Sequence, residues 1–304
     1  MIITDIKGNL GNQLFIYACA RNIQEKTGQK ICLNTYFLKK YYKSYTFSLN
    51  DYKLNDNIII EENRPLPRFM NTNSIISKLV IKIIQNIRGV KDVFPILVFN
   101  LFSKFGVYLW LGATYKELPE QKKKNYYLSG FWQSDKYFED IRDILLDEFT
   151  PNKPLLSKNR ELFELINSSE SICVTIRRGD YISNEKVKKS HFVCDEAFFI
   201  EGVKRIKNEV DNAVVFCFSD DIEWVKENVN FNCPTYYENG DDPVWEKLRL
   251  MSACKHFVIS NSSFSWWAQY LSTSNNKIVY APSIWYADGK KADIFQDSWK
   301  YINV

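Results

Sequence analysis

The chain opens with the mostly apolar run Met1-Ile2-Ile3-Thr4-Asp5-Ile6, which breaks at Gly8-Asn9-Leu10-Gly11-Asn12-Gln13. The run predicts a strand over Ile2–Ile6. Beyond the break, Leu14, Phe15, Ala18, Cys19 and Ile23 form one apolar face, predicting a helix to about Lys26 with Gly28 as its stop. A second strand over Lys30–Leu33 completes a β-loop-α-β unit. Tyr36–Pro67 is rich in Tyr, Asn and charge, lacks a period, and reads as irregular. Two helical patterns follow. Ile75–Ile87 carries Lys78, Lys82, Gln85 and Asn86 on one face and isoleucines on the rest; the other is the apolar stretch Val93–Trp110. Lys122-Lys123-Lys124 reads as a solvated loop, Tyr126–Leu128 as a strand and Lys136–Asp147 as a helix.

Past Pro151-Asn152-Lys153-Pro154, where two prolines resist regular structure, the alternation sharpens. Strands are predicted at Ile172–Ile176, Ala213–Phe218, Thr235–Tyr237, Phe257–Ser260 and Ile278–Tyr280. Helices are predicted near Asp195–Val210, Ile222–Asn228, Val244–Ala253 and Phe264–Leu271. Asp242-Pro243 supplies the third of these with a cap residue followed by proline at the first helical position. Strands alternating with helices imply a parallel sheet covered on both faces. The pattern is α/β, and its C-terminal half reads as doubly wound. The proline pair divides it into domains 1–152 and 153–304.

Composition narrows the class. The chain has 304 residues and a net charge of +4 from 40 basic and 36 acidic residues, too balanced for a dedicated nucleic-acid binder. Seven cysteines form no C-x-x-C pair and do not cluster with the two histidines, so they read as reduced thiols of a cytoplasmic protein rather than a zinc site. No signal peptide is visible at the start. Pro95, Asn100, Ser103, Lys104 and Gly106 interrupt Val93–Trp110, which argues against a membrane span. Ile75–Lys91, basic on one side and apolar on the other, suits peripheral contact with an anionic membrane face.

Ligands of open α/β sheets bind beyond the carboxyl ends of the strands, and three loops there can carry chemistry. In Ile176-Arg177-Arg178-Gly179-Asp180-Tyr181 the arginines suit a diphosphate, or else surface ion pairs. In Ser260-Asn261-Ser262-Ser263-Phe264-Ser265-Trp266-Trp267 a strand passes through small hydroxyl residues into a helix N-terminus. That is either an anion site or an ordinary serine cap, with the tryptophans as core. Phe218-Ser219-Asp220-Asp221 offers carboxylates to a ribose, a guanine edge or a metal, or caps the helix at Ile222. The glycine loop lacks G-x-G-x-x-G and the P-loop lysine, and offers either amides to a sugar or a tight turn.

Taken together, these loops resemble the bacterial α-1,2-fucosyltransferase family. The resemblance covers nearly the whole chain. It is carried by Gly8-Asn9-Leu10-Gly11-Asn12-Gln13-Leu14-Phe15, Gly130-Phe131-Trp132-Gln133-Ser134-Asp135-Lys136-Tyr137-Phe138, the arginine loop, and Leu250-Met251-Ser252 running into Ser260–Trp267. It implies a GT-B-like architecture of two Rossmann-like domains facing a cleft, with the acceptor on 1–152 and GDP-fucose on 153–304. It also implies inverting, metal-independent transfer of L-fucose, without a cofactor, to a galactose-containing oligosaccharide at its 2-hydroxyl. Arg177 would hold the β-phosphate, and Arg178, Ser262, Ser263, Phe264 and Ser265 would complete the donor cradle. Asn12, Gln13 and Tyr181 would face the acceptor. Two positions depart from the family pattern: Thr175 stands where a His is usual, and Lys247 where an acid is common. Glu246, Asp220 or Asp221 would then meet guanine. Asp180, Glu185 and His191 are the candidate general bases. Two other classes fit less of the pattern: a non-catalytic GDP- or glycan-binding relative, and a nicotinamide oxidoreductase, against which the missing G-x-G-x-x-G argues.

Overall fold

The computed structural model describes residues 1–41, 45–63, 94–119 and 124–304. The patterns expected at Ile75–Ile87 and Ile75–Lys91 lie outside the described residues, as do Lys122 and Lys123. The chain divides into two compact units, Met1–Asn50 with Leu54–Glu148, and Asp51–Lys53 with Phe149–Val304. Asp51–Lys53 joins the second unit by pairing: Asn152 N donates to Asp51 O at 2.9 Å and Lys53 N to Thr150 O at 3.2 Å.

The first unit holds β1 (Ile2–Asp5), α1 (Leu10–Thr27), β2 (Ile31–Asn34), α2 (Tyr36–Tyr41), β3 (Ile58–Glu61), α3 (Phe94–Ser103), β4 (Val107–Leu109), β5 (Tyr126–Ser129) and α4 (Arg142–Glu148). Its five strands are all parallel in the order β3-β2-β1-β5-β4. β1 and β2 are buried at every position, which is why they read as apolar runs without alternation. The stretch expected to be irregular contains α2 and the edge strand β3, and Val93–Trp110 resolves into α3 and β4. Among the described residues no helix is long and apolar enough to cross a membrane. The helix expected over Lys136–Asp147 becomes two short 3-10 turns followed by α4.

The second unit holds α5 (Arg160–Ser168), β6 (Glu170–Ile176), α6 (Gly179–Ser183), α7 (Glu185–His191), α8 (Glu196–Lys207), β7 (Ala213–Ser219), α9 (Ile222–Asn228), β8 (Thr235–Tyr237), α10 (Val244–Ser252), β9 (His256–Ile259), α11 (Ser263–Leu271), β10 (Val279–Pro282) and β11 (Lys300–Ile302). Its six strands are parallel in the order β11-β10-β9-β6-β7-β8. Ile172, Val174 and Ile176 pack with Phe198, Val203 and Ile206 of α8 in one apolar cluster. Each such side chain contributes about 1.5–3 kcal/mol when removed from water. α10 starts one residue later than its sequence signal, because Pro243 is its cap and its carbonyl accepts from Glu246 N and Lys247 N. Asp242 is buried instead against Lys158, at 2.9 Å.

Both sheets share one consequence of order. The chain lays down β1, β2, β3 outward and then crosses to the other side of β1. It likewise lays down β6, β7, β8 and then crosses to β9 beside β6. Each sheet therefore has a topological switch point, between β1 and β5 and between β6 and β9, where diverging connections leave a crevice at the carboxyl ends.

Candidate functional site

The four sequence blocks fall on these two switch points, except that Leu250-Met251-Ser252 ends α10. The glycine loop follows β1 and Gly130–Phe138 follows β5; the arginine loop follows β6 and the serine loop follows β9. In the second unit the two loops are stitched together. Ser260 N donates to Thr175 O at 3.2 Å and to Thr175 Oγ1 at 3.3 Å. Tyr181 Oη donates to Asn261 O at 3.0 Å. Asn261, buried, ties the end of α7 and the segment after β10 to the serine loop by donating to His191 O at 2.7 Å and Trp285 O at 2.9 Å. The hydroxyl that stands where the family has His is therefore used in joining β6 to β9.

The arginines meet the carboxylates at the end of β7. Arg177 Nη1 lies 2.7 Å from Asp220 Oδ2, and its guanidinium lies 5.8 Å from the centre of the Tyr181 ring. The Arg177 side chain is 32% exposed, open enough to meet a ligand. Arg178 is enclosed, at 14%. Its guanidinium sits 3.2 Å from the Trp224 ring centre, its Nε donates to Asp221 Oδ2 at 3.2 Å, and Glu196 lies at 3.8 Å. Arg178 N donates to Asp220 Oδ1 at 2.8 Å, so one carboxylate grips both the backbone and the side chain of the loop. Glycine follows: a Cβ at Gly179 would lie 2.5 Å from Asp220 Oδ2 and would push that carboxylate off its two arginine contacts. The carboxylates do not cap α9, since Asp221, its N-cap residue, makes no side-chain cap bond.

Below Asp220 the strand end is braced by a buried acid that the sequence reading missed. Glu238 Oε1 accepts from Ser219 N at 3.2 Å and from Lys247 Nζ at 3.0 Å. Burial pushes the Glu238 carboxyl above its usual range, and the Lys247 ammonium opposes that shift. Lys247 thus supports the β7 end. Glu246 has no such reach: it is fully buried, with Oε1 accepting from Leu156 N at 2.8 Å and Asn159 Nδ2 at 3.2 Å. Its other oxygen pairs with Arg249 at 2.9 Å. The carboxylate expected to meet guanine instead anchors α10 to the segment before α5.

The serine loop forms the helix cap, and its tryptophans the core, that its sequence offers. Ser262 caps α11, accepting from Phe264 N at 3.3 Å, and Ser262, Ser263 and Phe264 are half-buried at the helix start. Ser265 is buried and shares a 3.2 Å hydrogen bond with Ser260. Trp266 and Trp267 are fully buried, Trp266 stacking on Tyr270 at 4.7 Å, and serve as core. Asp180 lies on α6, and its side chain lies outside what the structure describes. Glu185 is exposed at the start of α7. His191 at its end lies 5.5 Å from the Tyr181 ring and 5.4 Å from Tyr286, with Ser190 Oγ 2.7 Å from Nδ1.

In the first unit the amides divide. Gln13 is fully buried: its Nε2 donates to Gly8 O at 2.9 Å and Thr46 O at 2.7 Å, and its Oε1 accepts from Ser48 N at 3.0 Å. It is consumed in holding the loop, contrary to an acceptor-facing role. Asn12 is half-buried and accepts from Gln133 Nε2 at 2.7 Å, which joins the β1 and β5 loops. Gly8 adopts φ 69° there, left-handed backbone that favours glycine. Beneath them Asp5 is buried, accepting from Asn34 Nδ2 at 3.0 Å, while Lys7 donates to Ser129 Oγ at 2.8 Å.

The family model described as Glycosyl transferase family 11 matches residues 1–303. The chain belongs to that family. Among relatives of this glycosyltransferase is an alpha-1,2-colitosyltransferase of Escherichia coli, 32% identical, with 94% of this chain and 92% of that one covered. Another is the O-antigen biosynthesis glycosyltransferase WbnK of Escherichia coli, 31% identical over 97% of this chain and 98% of that protein. The fold is similar to that of NodZ alpha-1,6-fucosyltransferase co-crystallized with GDP. The TM-score is 0.51 and the identity 13%, over 88% of this chain and 91% of that one. The architecture is GT-B-like, with a parallel sheet in each unit.

Proposed function

We propose that this family 11 glycosyltransferase transfers L-fucose from GDP-fucose to the 2-hydroxyl of a galactoside, with inversion and without a metal ion. The observation that carries the reading is the stitched pair of loops at the β6/β9 switch point, one carrying part-exposed Arg177 and the other leading into α11. Departing GDP gathers negative charge on its β-phosphate. Arg177 and the amides near Ser263 stabilise that charge where a metal serves in other transferases. Arg178, Asp220 and Asp221 fix Arg177 in place, and the engagement of both carboxylates by arginines speaks for that role over metal ligation. Ser262, Ser263, Phe264 and Ser265 complete the cradle. Asn12 and Tyr181 orient the acceptor. The sugar passes through an oxocarbenium-like transition state, as in glycosidases.

Asp180 takes the proton of the acceptor hydroxyl; it belongs to the shared arginine block and immediately follows the phosphate loop. Asp180→Asn is then expected to lower kcat by about 10²–10⁴ and leave GDP affinity intact. A pure kcat defect in Glu185→Gln, with weakened GDP binding in Asp180→Asn, would transfer the role to Glu185.

A second donor is favoured by the colitosyltransferase relative. Colitose is L-fucose without its 3-hydroxyl, so the two donors present the same phosphates and differ at one sugar position. The deciding experiment incubates the enzyme, with EDTA present, with GDP-fucose or GDP-colitose and an array of galactosides, followed by linkage analysis. An α-1,2-fucoside is expected. A preference for GDP-colitose would move the donor, and activity that EDTA abolishes and Mn²⁺ restores would overturn the metal-free mechanism.

A further inference from the structure

The block that follows β5, Gly130–Phe138, carries four aromatic residues, and three of them are buried. Trp132 packs 5.3 Å from Tyr137, and Phe138 packs 5.9 Å from Phe15 of α1. Phe131 is instead 43% exposed. It follows the carboxyl end of β5, which pairs with β1, so it shares that end of the sheet with the loop of Asn9 and Asn12. Gln133 joins the two loops through its 2.7 Å bond to Asn12. Ligands of such sheets bind at this end.

The loop keeps Phe131 outside at a cost. Trp132 adopts φ 55°, left-handed backbone that is an outlier for so bulky a residue. The other non-glycine residues with positive φ among those described, Asn212 and Asn232, are of the type that tolerates it. Trp132 Nε1 is buried without a hydrogen-bond partner among the described residues. The backbone beside it is packed tightly, since a Cβ at Gly130 would lie 2.9 Å from Trp110 O. Strain of this kind persists only where the surroundings over-determine it, and it gathers at ligand sites. With Trp132 held in the core, its neighbour Phe131 is left to solvent.

The two loops therefore offer an aromatic face and amides. Asn9 is exposed and, although it is the N-cap residue of α1, its side chain makes no cap bond; Asn12 is half-buried. A pyranose has the matching chemistry, with C–H groups on its face and hydroxyls around its edge. Galactose has it more fully than glucose. Its axial 4-hydroxyl leaves the C–H groups of C3, C4 and C5 together on one face and its 2-hydroxyl clear at the edge.

We infer that Phe131 is the platform of the acceptor site: the C–H face of the acceptor pyranose lies on its ring, and the Asn9 and Asn12 amides bond that sugar's hydroxyls. The inference rests on the transferase reading above, in which the pyranose is galactose, and makes no use of the donor's identity.

The test uses the full chain with GDP present and saturation-transfer NMR of methyl β-galactoside and methyl β-glucoside. Galactoside protons on C3, C4 and C5 are expected to receive the most saturation, and the glucoside to bind more weakly. Phe131→Ala should weaken galactoside binding and raise its KM about three- to tenfold, the range expected for losing one aromatic contact. Its kcat, its KM for GDP-fucose and its Tm should not change, because the side chain is exposed and lies off the reacting groups. Phe131→Tyr, which keeps the ring, should restore acceptor binding. Wild-type acceptor affinity in Phe131→Ala, or saturation spread evenly around the sugar, would overturn the inference and leave the proposed function standing. Transfer to a saccharide other than a galactoside, with a KM that depends on Phe131 in the same way, would uphold the platform and overturn the galactoside reading. If no saccharide of an acceptor array binds, both fall.

Discussion

The two switch points are built on the same strand order and differ in where they place their polar groups. At β1/β5 the polar side chains are turned inward: Gln13 is fully buried with three hydrogen bonds, and Asp5 lies buried beneath it. At β6/β9 the charges stand at the mouth, with Arg177 and Asp220 each about a quarter to a third exposed. A ligand reaching the second site can exchange an arginine–carboxylate contact for an arginine–phosphate one at little desolvation cost. A ligand at the first meets Gln13 already consumed in hydrogen bonds, while Asn9 is exposed and Asn12 half-buried in the same loop. The lesson is that one motif position can serve shape and its neighbour chemistry, and that burial separates them.

Mutation of Arg177 breaks this comparison most strongly. Arg177→Ala is expected to lower turnover by roughly 10²–10³, the cost of losing one charge contact made in the transition state. Arg177→Lys should recover little, because a point charge replaces a planar fork and the Asp220 geometry is lost. Thermal stability should barely move, since the side chain is part-exposed and its ion pair is screened. Turnover of Arg177→Lys near that of wild type would show that no bidentate grip is needed.

The amide pair in the first unit sharpens the contrast from the other side. Gln13→Ala strands Gly8 O, Thr46 O and Ser48 N. Losing these bonds should cost about 2–4 kcal/mol and lower the Tm by roughly 5–15 °C. Asn12→Ala removes one contact to Gln133 and should change stability by less than about 1 kcal/mol while raising the acceptor KM. Calorimetry and acceptor kinetics on both variants decide it. A Gln13→Ala protein with native Tm and raised acceptor KM would reverse the assignment.

How much of this was legible depends on which physical signal each element carries. β6 and β7 are seven-residue strands with apolar centres, and their ends were read to within two residues because strand burial writes itself into composition. β3 escaped because it is a four-residue edge strand, mostly half-buried, within a polar stretch. β4 escaped because it continues the apolarity of α3 without a change of period. α7 carries Lys, Glu, Ser and His around a single Val, so no periodicity betrays it. α5 was missed although Leu162, Phe163 and Ile166 give it a face. The loops of the site were legible, since strand ends followed by small or charged residues are where such sheets bind. The inward turn of Gln13, the burial of Glu246 and the seat of Arg178 on Trp224 were not. Each depends on contacts between residues far apart in sequence.

The least of the expected effects is a slope rather than a loss, and it tests whether the charge beneath the first switch point is as enclosed as the buried Asp5 implies. Burial raises the Asp5 carboxyl above its usual range, opposed by the Lys7 ammonium and by hydrogen bonds from Asn34 and Ser129. The folded state therefore holds the Asp5 proton at a pH where the unfolded chain has released it. Below the unfolded value, about 3.9, Asp5 contributes its full stabilisation. That contribution declines as pH rises through the interval up to the raised folded value, because the folded state then binds more protons than the unfolded one. Lys7 acts at the opposite end. Burial lowers its ammonium, so its contribution to stability grows as pH rises toward the ordinary lysine value. Asp5→Asn keeps an oxygen for Asn34 and removes the titration. The stability difference between Asp5→Asn and wild type, followed by denaturant unfolding from pH 4 to pH 8, should move in favour of the variant as pH rises and then level off. If the difference is constant across that range, Asp5 is not held protonated by burial, and the first switch point is more open to water than its geometry indicates.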